Sequence, residues 1–119
     1  ARLRASRQLL ETVIDAVPMR MFWKDTASRY LGCNRRFAED VGLSPGESIV
    51  GRHDEDMPWA DISARVLADD RRVLSGSESS ITAERRITPH GADPIWIETH
   101  KVPIRDDAGA IIGVLGTYD

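Results

Sequence analysis

The fold is decided by the stretch from Pro94 to Tyr118, PIWIETHKVPIRDDAGAIIGVLGTY. Residues 95–102 and 110–118 are rich in β-branched and other apolar residues, and the acidic segment 105–109, which ends in glycine, has the form of a hairpin turn. Glycines inside the second apolar run favour a central strand that another backbone or a ligand approaches closely. The stretch therefore predicts a hairpin at the middle of a sheet, and the rest of the chain is predicted to cover it.

Upstream segments supply three further strands and a helical layer. The predicted elements are a helix over 1–17, strands over 19–24 and 29–33, a short helix over 35–41, a helical turn opened by a capping box at 44–47, a helix over 60–74 and a strand over 78–88. Hairpin-sized connections make neighbouring strands antiparallel. The predicted fold class is α+β, a five-stranded antiparallel sheet with short helices on one face and an N-terminal flanking helix.

Composition restricts the class of protein. A chain of 119 residues with 41% apolar and 29% charged residues is expected to form one soluble globular domain. The net charge of -3 is spread along the chain, which argues against nucleic-acid binding by this segment, and no apolar run is long enough for membrane insertion. A lone cysteine, Cys33, indicates a reducing compartment, so a cytoplasmic location is the default expectation. We also expect the chain to be a piece of a longer protein.

The N-terminal helix carries a narrow apolar stripe. Its members recur at heptad-like spacing and are Leu3, Leu10, Val13, Ile14 and Val17. Two interpretations remain open from the sequence. The stripe either packs on the domain's own sheet or pairs with a second copy as a short coiled coil, and the second interpretation makes these residues a dimer interface.

Several phrases along the chain resemble the PAS domain family. They are Phe22-Trp23-Lys24-Asp25, residues 29–38 (RYLGCNRRFA), residues 41–45 (VGLSP), residues 50–52 (VGR), Asp69-Asp70 ahead of residues 73–76 (VLSG), Trp96-Ile97-Glu98, residues 102–106 (VPIRD), and Gly109 ahead of residues 112–114 (IGV). They follow the family's order and spacing over residues 18–119, with residues 1–17 as the flanking helix. The resemblance implies a sensory or regulatory module of a signalling protein, and not an enzyme.

In that family a curled sheet encloses a cavity, and a helix that leaves the last strand carries the signal to an output domain. The resemblance thus implies a homodimer, with a histidine kinase, diguanylate cyclase or DNA-binding domain covalently linked downstream, in a bacterial two-component or related system. Asp119 matches the first residue of the Asp-Ile-Thr motif at which many members begin the outgoing helix, so it is the predicted signal-relay position.

Cofactor use can be compared with the family position by position. The flavin-binding subclass carries a cysteine in an Asn-Cys-Arg-Phe-Leu motif and a glutamine on the last strand. The corresponding positions here are residues 51–56, without cysteine, and Leu115. Haem-binding members place a histidine on the long helix, and residues 60–75 contain none. We therefore expect no flavin and no haem, which leaves a small organic ligand or a core filled by side chains.

Strand alternation, with Pro103 and residues 112–114 aligned to the register of the PAS family that the chain resembles, predicts the lining of the cavity. The concave-face candidates are Ile97, Thr99, Ile111, Gly113 and Leu115, covered by Phe22, Phe37, Met57 and Val66, whereas Trp96, Val102 and Val114 are predicted to face outward. The same side chains are what a dry core would contain. This set favours an apolar or weakly polar guest, because no Arg or Lys is clearly placed inside. Lys101 shares the inward parity, but its amine is expected to reach solvent.

Two constellations suggest other chemistry. Residues 53–56, His-Asp-Glu-Asp, hold metal-capable atoms, but consecutive residues rarely converge on one ion, so a solvated linker with helix-capping acids is the preferred interpretation and no metal is predicted. No nucleophile and base share a recognised motif, so no catalytic residue is predicted. The functional prediction is a PAS sensor that binds a small ligand or dimerises. The alternative is a purely structural dimerisation module with a filled core.

Overall fold

The computed structural model describes residues 2–119 and contains one five-stranded antiparallel sheet. Its strands are β1 (Arg20–Lys24), β2 (Tyr30–Cys33), β3 (Ile81–Ile87), β4 (Ile95–Arg105) and β5 (Ile111–Tyr118), in the spatial order β2-β1-β5-β4-β3. The predicted α+β class is confirmed. The β4-β5 hairpin is also central, because β5 lies between β1 and β4. β4 runs three residues further than predicted, through Pro103, to the turn at Asp106.

Three α-helices accompany the sheet: α1 (Arg2–Ala16), α2 (Arg35–Val41) and α3 (Ser63–Leu74). Short 3₁₀ turns cover Asp54–Asp56 and Ala60–Ile62, so the helix predicted over 60–74 starts as a 3₁₀ turn. Of the capping box predicted at 44–47, the bond to the Glu47 side chain forms, but Glu47 N–H donates to the Ser44 carbonyl and no helix follows. Ser44 N–H donates to Glu47 Oε1 at 2.7 Å, but the chain around it is a turn. A cap satisfies backbone donors and does not by itself supply the packing that a short helix needs.

The prediction for the β5 faces was wrong beyond Ile111, and a bulge explains why. Ile104 pairs with Gly113 and Arg105 with Ile111, so Ile112 is an extra residue in β5. Alternation counted from Ile111 without this extra residue therefore assigns the residues after Ile112 to the wrong face of the sheet. Val114, predicted to face outward, is fully buried on the concave side with its pairing partner Lys24.

The concave face packs against α2 and the 3₁₀ segments through aromatic rings. Phe22 lies at the centre of the cluster, with its ring centroid 4.8 Å from that of Phe37 and 5.8 Å from that of Tyr30. Phe37 also contacts Trp59 and Tyr118 at centroid distances of 5.6 and 6.0 Å. Edge-on and tilted ring contacts of this kind add to the stabilisation from burial alone. The core thus sits between β1, β5 and the helical layer.

The flanking helix α1 buries none of its residues. Leu10 is 61% exposed and Leu3 73%, while Trp96 on the outer face of the sheet is 69% exposed. The interpretation in which the stripe packs on the domain's own sheet is therefore wrong for this structure. What holds the end of α1 is polar. Asn34 Nδ2 donates to the carbonyl of Ile14 at 3.0 Å, and Asp15 Oδ1 accepts from the first N–H of α2 at 2.8 Å. Within the described residues, no helix has the length and apolar character needed to cross a membrane.

Candidate ligand cavity and its buried charges

A small cavity of about 30 Å³ lies between the concave face of the sheet and its helical cover. Its walls come from every strand as well as from α2, α3 and the 3₁₀ segments. They are formed by Phe22, Tyr30, Phe37, Asp54, Trp59, Ile62, Val66, Asp69, Arg85, Ile87, Ile97, Thr99, Lys101 and Tyr118. Small-molecule sites usually measure hundreds of Å³, so a ligand would have to separate some of these side chains.

The sequence-predicted cavity residues divide into three groups. Phe22, Phe37, Val66, Ile97 and Thr99 line the cavity. Met57 is buried in the adjoining core cluster without lining it. The remaining three are corrections: Gly113 and Leu115 lie on the opposite face of β5 because of the bulge, and Ile111 lies near Gly76 at the end of α3. Ligand contact by the residues that do line the cavity stays a prediction.

Gly113 has a structural role instead of a ligand role. A Cβ built at this position would overlap the carbonyl oxygen of Lys24 on the neighbouring strand. β1 and β5 can pair at their observed spacing only because residue 113 has no side chain. The prediction that a backbone approaches a β5 glycine closely is confirmed here.

Four ionisable side chains form a buried network beside the cavity, with Asp54 and Lys101 also in the cavity wall, and the sequence did not predict it. Lys24 Nζ donates to Asp54 Oδ2 at 2.6 Å and to Asp70 Oδ2 at 2.9 Å, and Lys101 Nζ donates to Asp70 Oδ1 at 2.6 Å. All four side chains are at most 2% exposed. Lys101 therefore does not reach solvent, which corrects that expectation, and Asp69 and Asp70 of α3 are both buried. Burial without such partners would cost several kcal/mol per ion.

Asp54 is the most heavily hydrogen-bonded member of this network. Its Oδ1 accepts from the Tyr30 hydroxyl at 2.6 Å and from Trp59 Nε1 at 3.1 Å, in addition to the Lys24 bond at Oδ2. Burial opposes ionisation of this carboxyl, but the Lys24 charge and the three donors outweigh it and lower its pKa. The interpretation of residue 54 as part of a solvated linker was wrong. His53 and Asp56 do cap the 3₁₀ turn, as expected of that segment.

Lys101 lines the cavity and is itself buried. Burial and the neighbouring Lys24 charge lower its pKa, whereas Asp70 and Asp54 oppose that shift. Among the described residues its ammonium group makes one hydrogen bond, to Asp70. An ammonium carries three N–H donors. The signal in the sequence was the inward parity of Lys24 and Lys101, on two strands separated only by β5.

Two further ion pairs border the cavity. Arg85 on β3 forms a two-pronged pair with Asp69 on α3, with N···O distances of 3.0 and 2.7 Å. At the other end, the Tyr118 hydroxyl donates to Asp40 Oδ2 at 2.7 Å, and Arg20 donates to the same oxygen at 3.1 Å. The last residue of β5 is thereby joined to both α2 and the cavity wall.

The Asp54 site predicts acid sensitivity. Because the folded-state pKa of Asp54 is lower than that of the unfolded chain, the unfolded state binds this proton more readily. The resulting stability is present above the ordinary aspartate pKa, about 4, and is lost as the pH falls through the lower folded value. We expect the free energy of unfolding to decrease steadily below pH ~4, measured by urea unfolding at a series of pH values. The Asp54→Asn variant should show a shallower decrease, and an unchanged slope would contradict this assignment.

Comparison with known proteins assigns the family. A family model of the PAS fold matches residues 14–118, so the chain belongs to the PAS family. A methanogenesis regulatory histidine kinase, FilI of Methanothrix harundinacea, is 30% identical over 117 residues, which are 97% of this chain and 13% of the kinase. Most of the kinase therefore lies outside the region that is similar to this chain.

Solved structures show the same fold. The VqmA dimer of Vibrio cholerae superposes with a TM-score of 0.84 at 24% identity, covering 96% of this chain and 50% of VqmA. VqmA bound to DPO gives the same TM-score and identity and is covered over 56% of its length. The PAS domain of a protein from Colwellia psychrerythraea has a TM-score of 0.75 at 18% identity, with 96% of this chain and 95% of that chain covered. These likenesses show that the chain has the PAS fold.

Proposed function

We propose that this PAS domain senses a small organic molecule in its cavity and belongs to a larger signalling protein. The observation that carries the proposal is an apolar cavity lined by aromatic side chains, with the buried network of Lys24, Lys101, Asp54 and Asp70 beside it. A buried ion pair seldom stabilises a fold more than well-packed apolar residues of similar size. A module that needed only a filled core would therefore be served as well by apolar residues at these positions. The relatives support the proposal, since one is a histidine kinase and VqmA was solved bound to DPO.

The ligand is held without covalent chemistry in this proposal. Neither flavin nor haem is used, and the domain catalyses no reaction itself. The described residues contain no cluster of three His, Cys, Asp or Glu side chains that could hold a metal ion. Burial raises the pKa of the Cys33 thiol to about 11, which keeps it protonated and unreactive. Entry of a ligand would displace the rings of Phe22 and Phe37, the two phenylalanines of the wall.

A pair of glycine substitutions tests ligand binding. A Cβ at Gly116 would overlap the ring of Phe22, so Gly116→Ala should push this ring into the cavity. The matched control is Gly32→Ala, whose Cβ would overlap the Trp23 ring on the other face of the sheet. Native mass spectrometry of the wild type should show a mass excess that disappears on denaturation. We expect Gly116→Ala to lose this excess and Gly32→Ala to keep it.

Two results would contradict the sensor proposal and favour the structural module. One is a wild-type mass without excess, together with no change in thermal stability across a library of small metabolites. The other is a mass excess that Gly116→Ala retains in full, because the bound molecule would then lie outside the cavity.

We also propose that the domain is a cytoplasmic homodimer with a linked output domain and no nucleic-acid contact of its own. The apolar stripe of α1 supports the dimer, since Leu3, Leu10 and Val13 are more than half exposed. Ile14 and Val17 of the same stripe are half-buried at the end where α1 meets Asn34. In this proposal Asp119, next to the cavity residue Tyr118, is where the relay leaves the sheet.

Substitution of the stripe should separate dimerisation from folding. Leu10→Asp places a charge among apolar residues that a dimer would bury, so we expect dissociation to monomers. The unfolding temperature of the monomer should stay close to that of the wild type, because Leu10 is 61% exposed. Sedimentation equilibrium measures the mass. Gln8→Asp, on the opposite side of α1, is the control, and an undisturbed dimer in Leu10→Asp would place the interface elsewhere.

A further inference from the structure

We infer that the N-terminal half of α1 from a second copy docks antiparallel in a groove beside this chain's own α1, an inference that rests on the proposed homodimer. The groove has a volume of about 380 Å³ and lies between the C-terminal half of α1, the end of β2, the start of α2 and the segment 43–50. Its apolar lining includes Ile14, Leu43, Ile49 and Val50. Val50 is 63% exposed, so part of this apolar surface faces solvent in the single chain.

The charges of α1 are arranged opposite to the preference of an isolated helix. Its first half carries Arg2, Arg4 and Arg7, and its second half carries Glu11 and Asp15. The first turn contains no acidic residue and the last turn no basic one. A helix dipole disfavours cations near the N-terminus and anions near the C-terminus. This arrangement therefore destabilises the helix when it stands alone, and a partner helix of opposite direction would neutralise it.

The direction of pairing decides which charges meet. Antiparallel helices bring the arginines of one copy beside the carboxylates of the other, whereas parallel helices bring like charges together at both ends. The two helix dipoles also attract when antiparallel and repel when parallel. Charges at the rim of an interface fix its orientation more than they add to its affinity. The exposed apolar stripe of α1 supplies the affinity, and the charges select the antiparallel direction.

The groove extends the acidic half of α1 with a further carboxylate. Glu11, Asp15 and Glu47 line it, against one guanidinium, that of Arg35. All four side chains are exposed. Glu47 pairs with Arg52 at 3.3 Å, and among the described residues no ion pair involves Glu11. The wall thus presents an excess of negative charge to an incoming basic segment.

The N-terminal half of α1 has the features that this groove requires. Leu3 is 73% exposed and supplies an apolar side chain for the apolar lining. Arg4 and Arg7 are exposed in the same segment and supply cations for the carboxylates. In the dimer, Leu3 of each copy lies in the groove of the other, and the site is used twice because a two-fold interface is self-complementary.

The position of Leu3 distinguishes the two directions of pairing. At a rise of ~1.5 Å per residue, Leu3 lies about 16 Å along the axis from Ile14, which lines the groove. In a parallel dimer the two Leu3 residues therefore lie side by side and far from both grooves. In the antiparallel dimer each lies near Val50 of the other copy. A disulfide forms only where two Cα atoms come within ~7 Å, so cysteine crosslinking separates these arrangements.

Two chains that each carry a single cysteine provide the test. Both have Cys33→Ser, and one has Leu3→Cys and the other Val50→Cys. They are oxidised separately and as a mixture, and mass spectrometry identifies the disulfide-linked products. We expect the mixture to give the covalent heterodimer and Leu3→Cys alone to give little covalent dimer. Arg65→Cys, at an exposed position of α3, replaces Val50→Cys in the control mixture and should give no heterodimer.

Charge reversal provides the second measurement. Arg4→Glu together with Arg7→Glu favours the isolated helix, because acids suit its N-terminal half, but places like charges against the acidic groove. We expect the dimer dissociation constant from sedimentation equilibrium to rise about tenfold or more at low ionic strength. Adding Glu11→Arg to the same chain should recover part of this loss. Arg65→Glu is the control and should leave the constant unchanged.

The outcomes separate the docking mode from the homodimer itself. Efficient self-crosslinking of Leu3→Cys without the Val50→Cys heterodimer would overturn the antiparallel inference and leave the homodimer in place. Chains that sediment as dimers but crosslink in neither combination would place the interface outside the groove. A heterodimer that charge reversal leaves equally stable would overturn the role of the carboxylates. If the wild type is monomeric at every concentration, the homodimer proposal fails, and the inference with it.

Discussion

Replacing Asp70 by alanine is expected to lower the free energy of unfolding by about 3–5 kcal/mol. Asp70 is completely buried and accepts hydrogen bonds from two lysines, Lys24 and Lys101. Its removal leaves Lys101 without its one described partner and Lys24 with Asp54 only. Two ammonium groups would then lie in the core with one carboxylate between them, and the loss would come mainly from this uncompensated charge.

Urea unfolding at neutral pH measures the loss. Arg72→Ala is a suitable control, because Arg72 belongs to the same helix but pairs with Glu78 at the surface, at 2.7 Å. An exposed pair contributes little, so this variant should unfold near the wild-type midpoint. Asp70→Asn is informative as well, since it keeps the shape and loses the charge. A loss below about 1 kcal/mol in Asp70→Ala would mean that water or rearranged side chains compensate the lysines.

Replacing Asn34 by alanine is expected to cost about 2–4 kcal/mol, the second largest effect. The Asn34 side chain is buried and uses its full bonding capacity. Its Oδ1 accepts from the N–H groups of Met21 and Phe37, both at 3.1 Å. Its Nδ2 donates to the carbonyls of Ile14 and Met19, at 3.0 and 2.8 Å. Alanine would leave backbone groups of α1, β1 and α2 without these partners in a site with little access to water.

Thermal and urea unfolding of Asn34→Ala should show this loss with the cooperativity of the transition retained. Asp106 offers a comparison, because its carboxylate accepts from the N–H groups of Ala108 and Ala110 in an exposed turn. Water can replace these bonds, so Asp106→Ala should lose no more than about 1 kcal/mol. Equal losses at the two positions would show that burial of the Asn34 bonds contributes nothing extra.

The sequence predicts those features that depend on local periodicity. The alternation of residues 81–87 and the paired apolar runs around the 105–109 turn gave the strands, and the spacing of turns gave their antiparallel order. The choice of face in β5 failed because one inserted residue, Ile112, reverses the alternation. A bulge leaves little trace in a single sequence, since both of its neighbours are ordinary strand residues.

The buried charges could not be predicted for a different reason. Lys24 meets Asp54 across 30 positions and Asp70 across 46, so their pairing depends on how α3 and the 3₁₀ turn settle on the sheet. Charged residues are usually solvated, which made the interpretation of Asp54 as part of a solvated linker reasonable. The aromatic members of the cavity, such as Phe22 and Phe37, were predictable because large apolar residues have few alternatives to burial.

The helix α1 gives the domain a segment whose order can vary separately from that of the core. Isolated helices shorter than ~12–15 residues are marginal in water, and α1 lies at this limit with fifteen residues, none of them buried. The far-ultraviolet circular dichroism of the protein should therefore depend on its concentration. We expect the helical signal to increase as the concentration is raised and copies associate. Backbone amides of α1 should exchange with deuterium far faster than those of β5. The domain would then report its own association state through the helicity of one terminal segment.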